Sequence, residues 1–391
     1  MTHTGTRWQT LPALLLLPIA AVTGASEYSL EYSVEARYEY DDNVRLRADN
    51  EIDVSAGRLI LPATLTRRTE RLDASLMGEL SFSEFNEQGY NSDDQNLQGV
   101  ATYQLERGLV EGNAGYKRTS TLDSEFTDTG RIGLFATRKE IASAGASGHH
   151  MITERNGFSA GFDYSQVDYD SPEYQNYDYV SGYAGWLHQW SERTQLLVQG
   201  YGYRYQNDVR EKVESDGLGG QLGFKSDFSE QLSASLLAGW VATDTTYSSR
   251  LPATPDDDSD GNLLVDGSLT YKQERYRIKA TLRSGSTPSG NGFVRITDQL
   301  DLSYRYQWSD RTRLSLVLIA GQSSALDNDI DNDRDYARLR TRVDYQFSRQ
   351  WYIAGTYTYS YQKRERESGT ADSNAVYLSL IFQPEKSVWS R

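Results

Sequence analysis

The stretch Ala337-Arg-Leu-Arg-Thr-Arg-Val-Asp-Tyr-Gln-Phe347 alternates without interruption between two kinds of side chain. Apolar, aromatic or small residues occupy the odd positions, and Arg, Asp or Gln occupy the even positions between them. Successive side chains of a β-strand point to opposite faces, so this pattern predicts a strand with one apolar and one polar surface. Such a strand separates an apolar medium from a watery one.

The same alternation begins near the start of the chain, where aromatic and apolar residues fill the even positions of 28–40. Ser, Glu and Arg fill the odd positions. A tilted strand needs about 9–11 residues to cross a membrane. Strands of soluble proteins are usually about 5–6 residues long. Segments 28–40 and 337–347 therefore fit membrane-crossing strands better than the strands of a soluble sandwich.

A short motif recurs between pairs of such strands: a polar residue, an acid, then Arg or Gln. Its middle residues are Glu70, Glu106, Glu154, Glu192, Glu230, Glu274, Asp310 and, in a degenerate copy, Arg349. The spacing fits two strands, one short turn and one longer loop per repeat.

The intervening connections, such as 41–50, 248–262 and 326–335, are longer and rich in Asp, Asn, Gly and Ser. Short turns at one end and long polar loops at the other are typical of a transmembrane barrel. Eight turns join sixteen strands, and the first and last strands make eighteen. The sequence thus predicts an all-β fold, an antiparallel transmembrane β-barrel of about 18 strands with both termini on the periplasmic side.

Residues 1–25 have the features of a secretory signal peptide: Arg7, a short apolar run over 11–22, and small residues ending at Ala25. The apolar run is too short to cross a bilayer as a helix. We therefore expect residues 26–391 to form the mature barrel, and the outer membrane of a Gram-negative bacterium to be its location.

Composition narrows the function. The formal net charge of −15 disfavours nucleic acid as a partner, because phosphate binding requires clustered cations. The chain has no Cys, which excludes disulfides and thiol-based metal or catalytic chemistry.

The polar face of the strands carries charges of both signs in separate arcs. The candidate pore-lining cations are Arg277, Lys279, Arg283, Arg305, Arg338, Arg340 and Arg342, and the candidate anions are Glu31, Glu35 and Glu79. One interpretation is a field across a wet pore that selects solutes by charge. The other is that these charges mainly form salt bridges with one another.

Aromatic residues on the apolar face lie near strand ends and predict the two girdles that mark membrane interfaces. They include Trp186, Trp190, Trp240, Trp308, Trp351, Tyr357, Tyr359 and Tyr361. Stacking against sugars is the alternative role for some of them.

Asp256, Asp258 and Asp260, followed by Gly261, resemble the opening of a calcium-binding loop. The twelfth position of that loop would be Gly267, where bidentate ligation requires Glu. We therefore interpret the segment as a solvated acidic loop, with contact to a divalent cation, including one bridging lipopolysaccharide phosphates, as the alternative. No other cofactor is expected.

A catalytic role is not expected either. The histidines after residue 25 are His149, His150 and His188, and each lies just before a short turn, away from the outer leaflet. Ser147 lies in Gly145-Ala-Ser-Gly-His149, which lacks the G-x-S-x-G pattern of hydrolases. The sequence indicates a protein that is not an enzyme.

Three stretches resemble the outer-membrane β-barrel porin family found with exopolysaccharide-synthesis operons: Tyr38–Val44, Ser284–Gly292 and Ser373–Phe382. The resemblance in layout covers about residues 27–391. It implies an outer-membrane location and a link to polysaccharide export, and it brings no catalytic residues. Many barrels end on an aromatic residue, whereas nine residues follow Phe382 here.

Two functions remain open. The first is a channel that conducts or assists exopolysaccharide export. The second is a structural barrel that docks periplasmic export machinery and conducts little. Expected partners are outer-membrane lipid and lipopolysaccharide, the barrel assembly machinery, polysaccharide and periplasmic export proteins. Arg131-Ile-Gly-Leu-Phe135 is an apolar patch in the longest repeat, and the sequence leaves open whether that loop folds into the pore or contacts a partner.

Overall fold

The computed structural model describes residues 26–128, 137–207, 212–248, 258–326, 333–364 and 369–390. The predicted signal peptide, residues 1–25, lies outside the described residues. The strand segments are β1 Glu27–Tyr32, β2 Val34–Asp41, β3 Val54–Arg68, β4 Leu72–Phe85, β5 Ser92–Leu105, β6 Gly108–Ser120, β7 Arg138–Met151, β8 Asn156–Tyr169, β9 Tyr177–Ser191, β10 Thr194–Asn207, β11 Lys212–Asp227, β12 Leu232–Ser248, β13 Asp258–Lys272, β14 Tyr276–Pro288, β15 Val294–Ser309, β16 Thr312–Ala325, β17 Arg334–Gln346, β18 Trp351–Arg364, β19 Thr370–Phe382 and β20 Ser387–Ser390. A helix, α1, spans Thr121–Asp128, and a short 3₁₀ turn spans Gln88–Tyr90.

The segments form one closed antiparallel sheet. Each strand from β2 to β19 pairs with the next, and β19 pairs with β2 to close the ring, with Phe382 opposite Val34. β1 continues the line of β2 and pairs with β3 in the same register. Counting β1 with β2 and β20 with β19, the barrel has eighteen strands, which confirms the number expected from the turns.

The first strand is interrupted at Ser33 because its partner on β3 is Pro62. The Ser33 N–H donates to the Pro62 carbonyl at 3.1 Å. Proline has no N–H to donate in return, so one ladder bond is missing. After Phe382 the last strand resumes at Ser387, where β20 pairs with β1. The register there is shifted by one residue, so the last strand contains one extra residue between Phe382 and Ser387. Phe382 is therefore not the end of the strand. Glu27 pairs with both Arg68 and Ser390, so the first and last strands reach the short-turn end.

All eight short turns lie where the sequence motif places them, and in three of them the Ser or Thr that begins the motif holds the turn. The Thr69 hydroxyl accepts from the Leu72 N–H at 2.9 Å, and the Thr153 hydroxyl accepts from the Asn156 N–H at 3.0 Å. Ser229 does the same for Leu232 at 3.0 Å. A Ser or Thr side chain that binds backbone N–H groups in this way holds a turn in place of a backbone partner.

The outer surface of the wall is apolar, as the alternation predicts. Leu218 and Leu222 are 76% and 68% exposed, which is stable only against lipid tails. The predicted girdle residues, among them Trp190 and Trp308, also point outward. No helix among the described residues is long and apolar enough to span a membrane.

A change at Gly219 should test how tightly the wall is packed. A Cβ there would clash with the Trp240 carbonyl oxygen and lie 2.8 Å from Val241 Cα, and backbone atoms cannot move aside cheaply. We expect Gly219→Ala to destabilise the barrel by about 1–3 kcal/mol. The measurement is the temperature at which the folded band disappears on an unheated detergent gel. Gly57→Ala is the matched control, because its Cβ meets nothing within 4 Å; equal temperatures for the two variants would contradict the prediction.

Candidate functional site

Helix α1 lies inside the barrel. It follows β6 at the long-loop end, and the side chains of Thr121, Glu125 and Phe126 are fully buried. An empty barrel would leave water between its walls. The full burial of these side chains therefore means that the helix packs against the walls and fills part of the lumen. The sequence left open whether this loop folds inward, and the described part of it does. The apolar patch at 131–135 lies outside the described residues.

The helix is anchored to the near wall by a buried ion pair. Lys139 of β7 donates to Glu125 at 2.9 Å, and the two side chains are 1% and 0% exposed. The Tyr169 hydroxyl of β8 donates to the same carboxylate oxygen at 3.1 Å. Removing one partner of such a pair leaves an uncompensated charge, so the pair fixes the helix strongly.

The other anchor is on the far wall. The Phe126 ring packs edge-on against Tyr336, with ring centroids 5.9 Å apart, and the guanidinium of Arg338 lies 3.6 Å from its centroid. Arg334 donates to the Phe126 carbonyl at 3.4 Å. These three residues belong to β17, eight steps from β7 around the ring through β6, β5, β4, β3, β2, β19 and β18. The helix therefore lies between two walls of the lumen and contacts both through the neighbouring residues Glu125 and Phe126.

Other long-end loops also turn inward. Leu46 is 3% exposed in a cluster with Phe126 and Tyr336, and its carbonyl accepts from the Gln362 side chain at 2.8 Å. The long polar loop 41–50 therefore packs partly into the lumen, while Asp49 and Asn50 stay exposed. On the other side, the Tyr205 hydroxyl donates to the Ser289 carbonyl at 3.1 Å. At the long-loop end the described segments thus pack into the lumen, whereas inward side chains near the short turns, such as Arg277 and Arg305, stay exposed.

The wall opposite β17 is lined with tyrosines. The odd-numbered positions of β8, β9 and β10 are paired with one another and face the lumen, and tyrosines occupy many of them. They are Tyr169, Tyr177, Tyr179, Tyr183, Tyr201, Tyr203 and Tyr205. Sequence reasoning assigned aromatic residues to the outer girdles and missed this inner set. The signal was present, since Trp186 and Trp190 at even positions of β9 place its odd-numbered tyrosines on the opposite face.

All ten predicted pore-lining residues lie on the inner face. In the register of β14 and β15, Arg277 lies opposite Arg305, and Arg283 lies opposite Gln299. Arg338, Arg340 and Arg342 alternate with outward-facing Leu339 and Thr341 on β17. The anions Glu31, Glu35 and Glu79 come from β1, β2 and β4.

These charges divide into paired and unpaired groups. Arg342 binds Asp344 at 2.8 Å, Glu35 binds Arg37 at 2.7 Å, and Glu31 binds Lys386 at 2.7 Å. Arg283 and Asp301 approach to 3.7 Å. Of the ten predicted pore-lining residues, four exposed cations make no ion pair with the described part of the chain. We call them the cation row: Arg277, Lys279, Arg305 and Arg340.

The acidic arc begins close to the basic one and extends around the wall away from it. β17 and β2 are three steps apart through β18 and β19, and the inner faces of these two strands carry small residues such as Thr358 and Ser379. Glu79 on β4 is exposed and unpaired among the described residues. The arcs are therefore adjacent at β17 and β2, while Glu79 on β4 lies eight steps around the ring from Arg277 on β14.

The calcium-like segment is placed only in part. Asp256 lies outside the described residues, while Asp258 and Asp260 belong to strand β13, opposite Thr245 and Thr243 of β12. An extended strand does not curl around an ion as a calcium loop does. Among the described residues, no group of three or more His, Asp and Glu side chains is arranged to hold a metal.

The histidines lie at the short-turn end on both faces of the wall. His149 is an inward residue of β7, opposite Leu109. His188 faces outward between the rings of Trp186 and Trp190, and its Nδ1 lies 3.0 Å from the Asn156 side-chain oxygen. This environment is that of the aromatic girdle.

A closed eighteen-strand antiparallel wall with an apolar exterior, aromatic girdles and a charged lumen defines the class of protein. It is a transmembrane β-barrel of the outer-membrane type, located in the outer membrane of a Gram-negative bacterium.

No protein-family model matches the sequence, and no curated protein matches it well enough to count as a relative. Among solved structures, the copper transporter OprC is similar with a TM-score of 0.46 and 11% identity, over 92% of this chain and 66% of that one. The chain thus spans just under two thirds of that transporter. The outer membrane protein opdK from Pseudomonas aeruginosa gives a TM-score of 0.42 and 12% identity, over 93% and 99% of the two chains. OccAB3 from Acinetobacter baumannii gives 0.43 and 8%, over 91% and 99%. These similarities concern architecture alone.

Breaking the near anchor should loosen the lumen helix. Lys139→Met leaves the Glu125 carboxylate buried without its partner, at a cost of about 3–5 kcal/mol. We expect a higher single-channel conductance in planar bilayers, because the helix leaves its place in the lumen. Glu125→Gln combined with Lys139→Met removes both charges and should return the conductance toward the native value. A double variant as open as the single one would show that the charge itself is not what matters.

The far anchor can be tested independently. Phe126→Ala removes the ring that Tyr336 and Arg338 hold, and we expect it to increase conductance or its fluctuations. Phe162→Ala makes the same chemical change on the lipid-facing side, where the ring is 50% exposed. Native currents in both variants would mean that the helix does not limit the pore.

Proposed function

We propose that this barrel is a channel that serves exopolysaccharide export and passes acidic sugar chains along its cation row. The observation that carries the proposal is that Arg277, Lys279, Arg305 and Arg340 are exposed to the lumen and make no ion pair with the described residues. Charges that served only the fold would be neutralised by neighbours, as Arg342 is by Asp344.

The chemistry of the row suits carboxylated or sulfated sugars. An arginine guanidinium presents a planar fork of N–H donors that matches a carboxylate or sulfate, and three of the four residues are arginines. They are distributed over β14, β15 and β17, so an anionic polymer could exchange one contact for the next as it advances. Individually weak, repeated contacts permit passage rather than trapping.

The lumen helix gives the channel a means to remain closed until needed. A barrel of eighteen strands encloses an aqueous lumen unless protein fills it. Here α1 and the inward loops pack into the lumen at the long-loop end, which favours a low resting conductance. We propose periplasmic export proteins as the partners that would meet the short-turn end, and lipopolysaccharide as the partner of the long-loop end.

Reversing charge in the row should change ion selectivity without unfolding the barrel. In Arg305→Glu combined with Arg340→Glu, two side chains that project into water exchange sign, so the fold should persist. We expect the reversal potential across a salt gradient to shift toward cation preference, and passage of an acidic oligosaccharide to slow.

The control is Arg349→Glu combined with Lys363→Glu, which changes the same total charge at a short turn and on the outer face of β18. It should leave the reversal potential unchanged. If Arg305→Glu combined with Arg340→Glu behaves like this control, the proposal that acidic sugar chains pass along the cation row is wrong. A native protein without measurable conductance, even after Lys139→Met, would favour the docking function.

A further inference from the structure

Tyr183 lies midway along β9 on the inner wall, below the tyrosines that the inward loops cover. Tyr205, Tyr203 and Tyr177 are 0%, 5% and 7% exposed, whereas Tyr183 keeps part of its surface open to the lumen. Its register partner on β8 is Gly161 and on β10 is Tyr201. It is therefore an aromatic ring within the water-accessible part of the channel.

The ring lies down on the wall because its neighbour is glycine. A Cβ at Gly161 would clash with Tyr183 Cε1 and lie 2.7 Å from Cζ and 3.0 Å from the hydroxyl oxygen. Any other residue would push the ring away. With one face held against the Gly161 backbone, the opposite face is directed toward the lumen. Tyr203 rests on Gly217 in the same manner, but the loops cover it.

Hydrogen-bonding side chains lie on the strands to either side of this ring. Asp163 is inward on β8, two residues from Gly161. Glu111 is inward on β6, in register with Ser147 of β7, which is in register with Gly161. Gln199 lies on β10 two residues from Tyr201 and donates to Gln221 at 3.0 Å. The Asn113 amide nitrogen lies 2.8 Å from where a Cβ of Gly145 would be, beside the Asp163 carboxylate.

An apolar ring face bordered by carboxylates and amides fits a pyranose. The C–H face of a sugar ring stacks on an aromatic face, and its equatorial hydroxyls donate to carboxylates and exchange hydrogen bonds with amides. The two carboxylates at the site disfavour a uronate or sulfate there. We propose that Tyr183, with Asp163, Asn113 and Gln199, forms a binding subsite for an uncharged hexose unit.

This subsite deepens the proposed export function and rests on it. Tyr183 is on β9, eight strands from the cation row residue Arg340 on β17. The two chemistries therefore line nearly opposite walls, one suited to neutral units and the other to acidic units. A heteropolysaccharide that contains both kinds of sugar would engage both walls at once.

The subsite is tested by equilibrium binding, which does not depend on conduction. Cellohexaose and maltohexaose, both uncharged, are titrated calorimetrically into the detergent-solubilised protein, and an oligoglucuronate of the same length serves as the charged probe. We expect at least one neutral hexamer to bind the native protein. Tyr183→Ala should bind it at least about tenfold more weakly, while Tyr183→Phe, which keeps the ring, should stay within about threefold.

Gly161→Ala provides a second test, because every sugar-contacting side chain stays and only the ring is displaced. Gly161→Ala should weaken binding of the neutral hexamer as much as Tyr183→Ala does. Tyr103→Ala, on the outer face, is the matched control and should bind like the native protein. Retention of the folded gel band is required of each variant, and Tyr183→Phe covers the case in which Tyr183→Ala fails to fold.

The outcomes separate the two proposals. Native binding of neither neutral hexamer, or equal binding by Tyr183→Ala and the native protein, overturns the subsite. The cation row is judged by reversal potential, so the channel function can survive that result. Conversely, a barrel that binds a neutral hexamer through Tyr183 but shows no change of selectivity in Arg305→Glu with Arg340→Glu keeps the subsite and loses the anionic lane.

Discussion

Every backbone N–H and C=O group that faces lipid must find its partner within the protein, and the rest of this structure depends on that constraint. An open sheet would leave two unpaired edges in hydrocarbon. The pairing of β19 with β2 removes both edges, and β20 continues the closure beside β1. The ladder tolerates the missing donor of Pro62, because a single interruption leaves the bonds on either side intact.

Because the sheet closes on itself, the two faces of each strand become the outer and inner surfaces of the whole barrel. One side of every strand meets lipid, so the polar side must enclose a lumen, where water or protein has to satisfy it. Both solutions occur here. Near the short turns, water satisfies exposed cations such as Arg305 and Arg340. Near the long loops, protein does so: Lys139 is neutralised by Glu125, and Arg338 lies against the ring of Phe126. The boundary between these halves locates the part of the channel where a solute can bind.

The motif that begins with Thr69 or Ser229 predicted the turns because the hydroxyl acts within a few residues of itself. The inward direction of Arg340 was also predictable, since alternation along a strand is a local property. The direction of Tyr183 was equally readable from Trp186 three residues later, but its partner Gly161 belongs to another strand. The contact of Phe126 with β17 was not predictable, because no sequence pattern in α1 relates it to that strand. The two contacting residues, Arg334 and Phe126, are 208 positions apart.

The sequence by itself determined what repeats along the chain: which residues form strands, which form short turns, how many strands there are and which face of each is apolar. These features depend on neighbours within a few positions, so a linear pattern contains them. The tertiary structure alone decided what lies inside the barrel. The lumen helix, the inward loop at Leu46, the cation row left unpaired and the ring laid on Gly161 all depend on which distant segments meet once the ring closes. No spacing along the chain encodes those meetings, because they arise from the curvature of the wall and the width of the lumen it encloses.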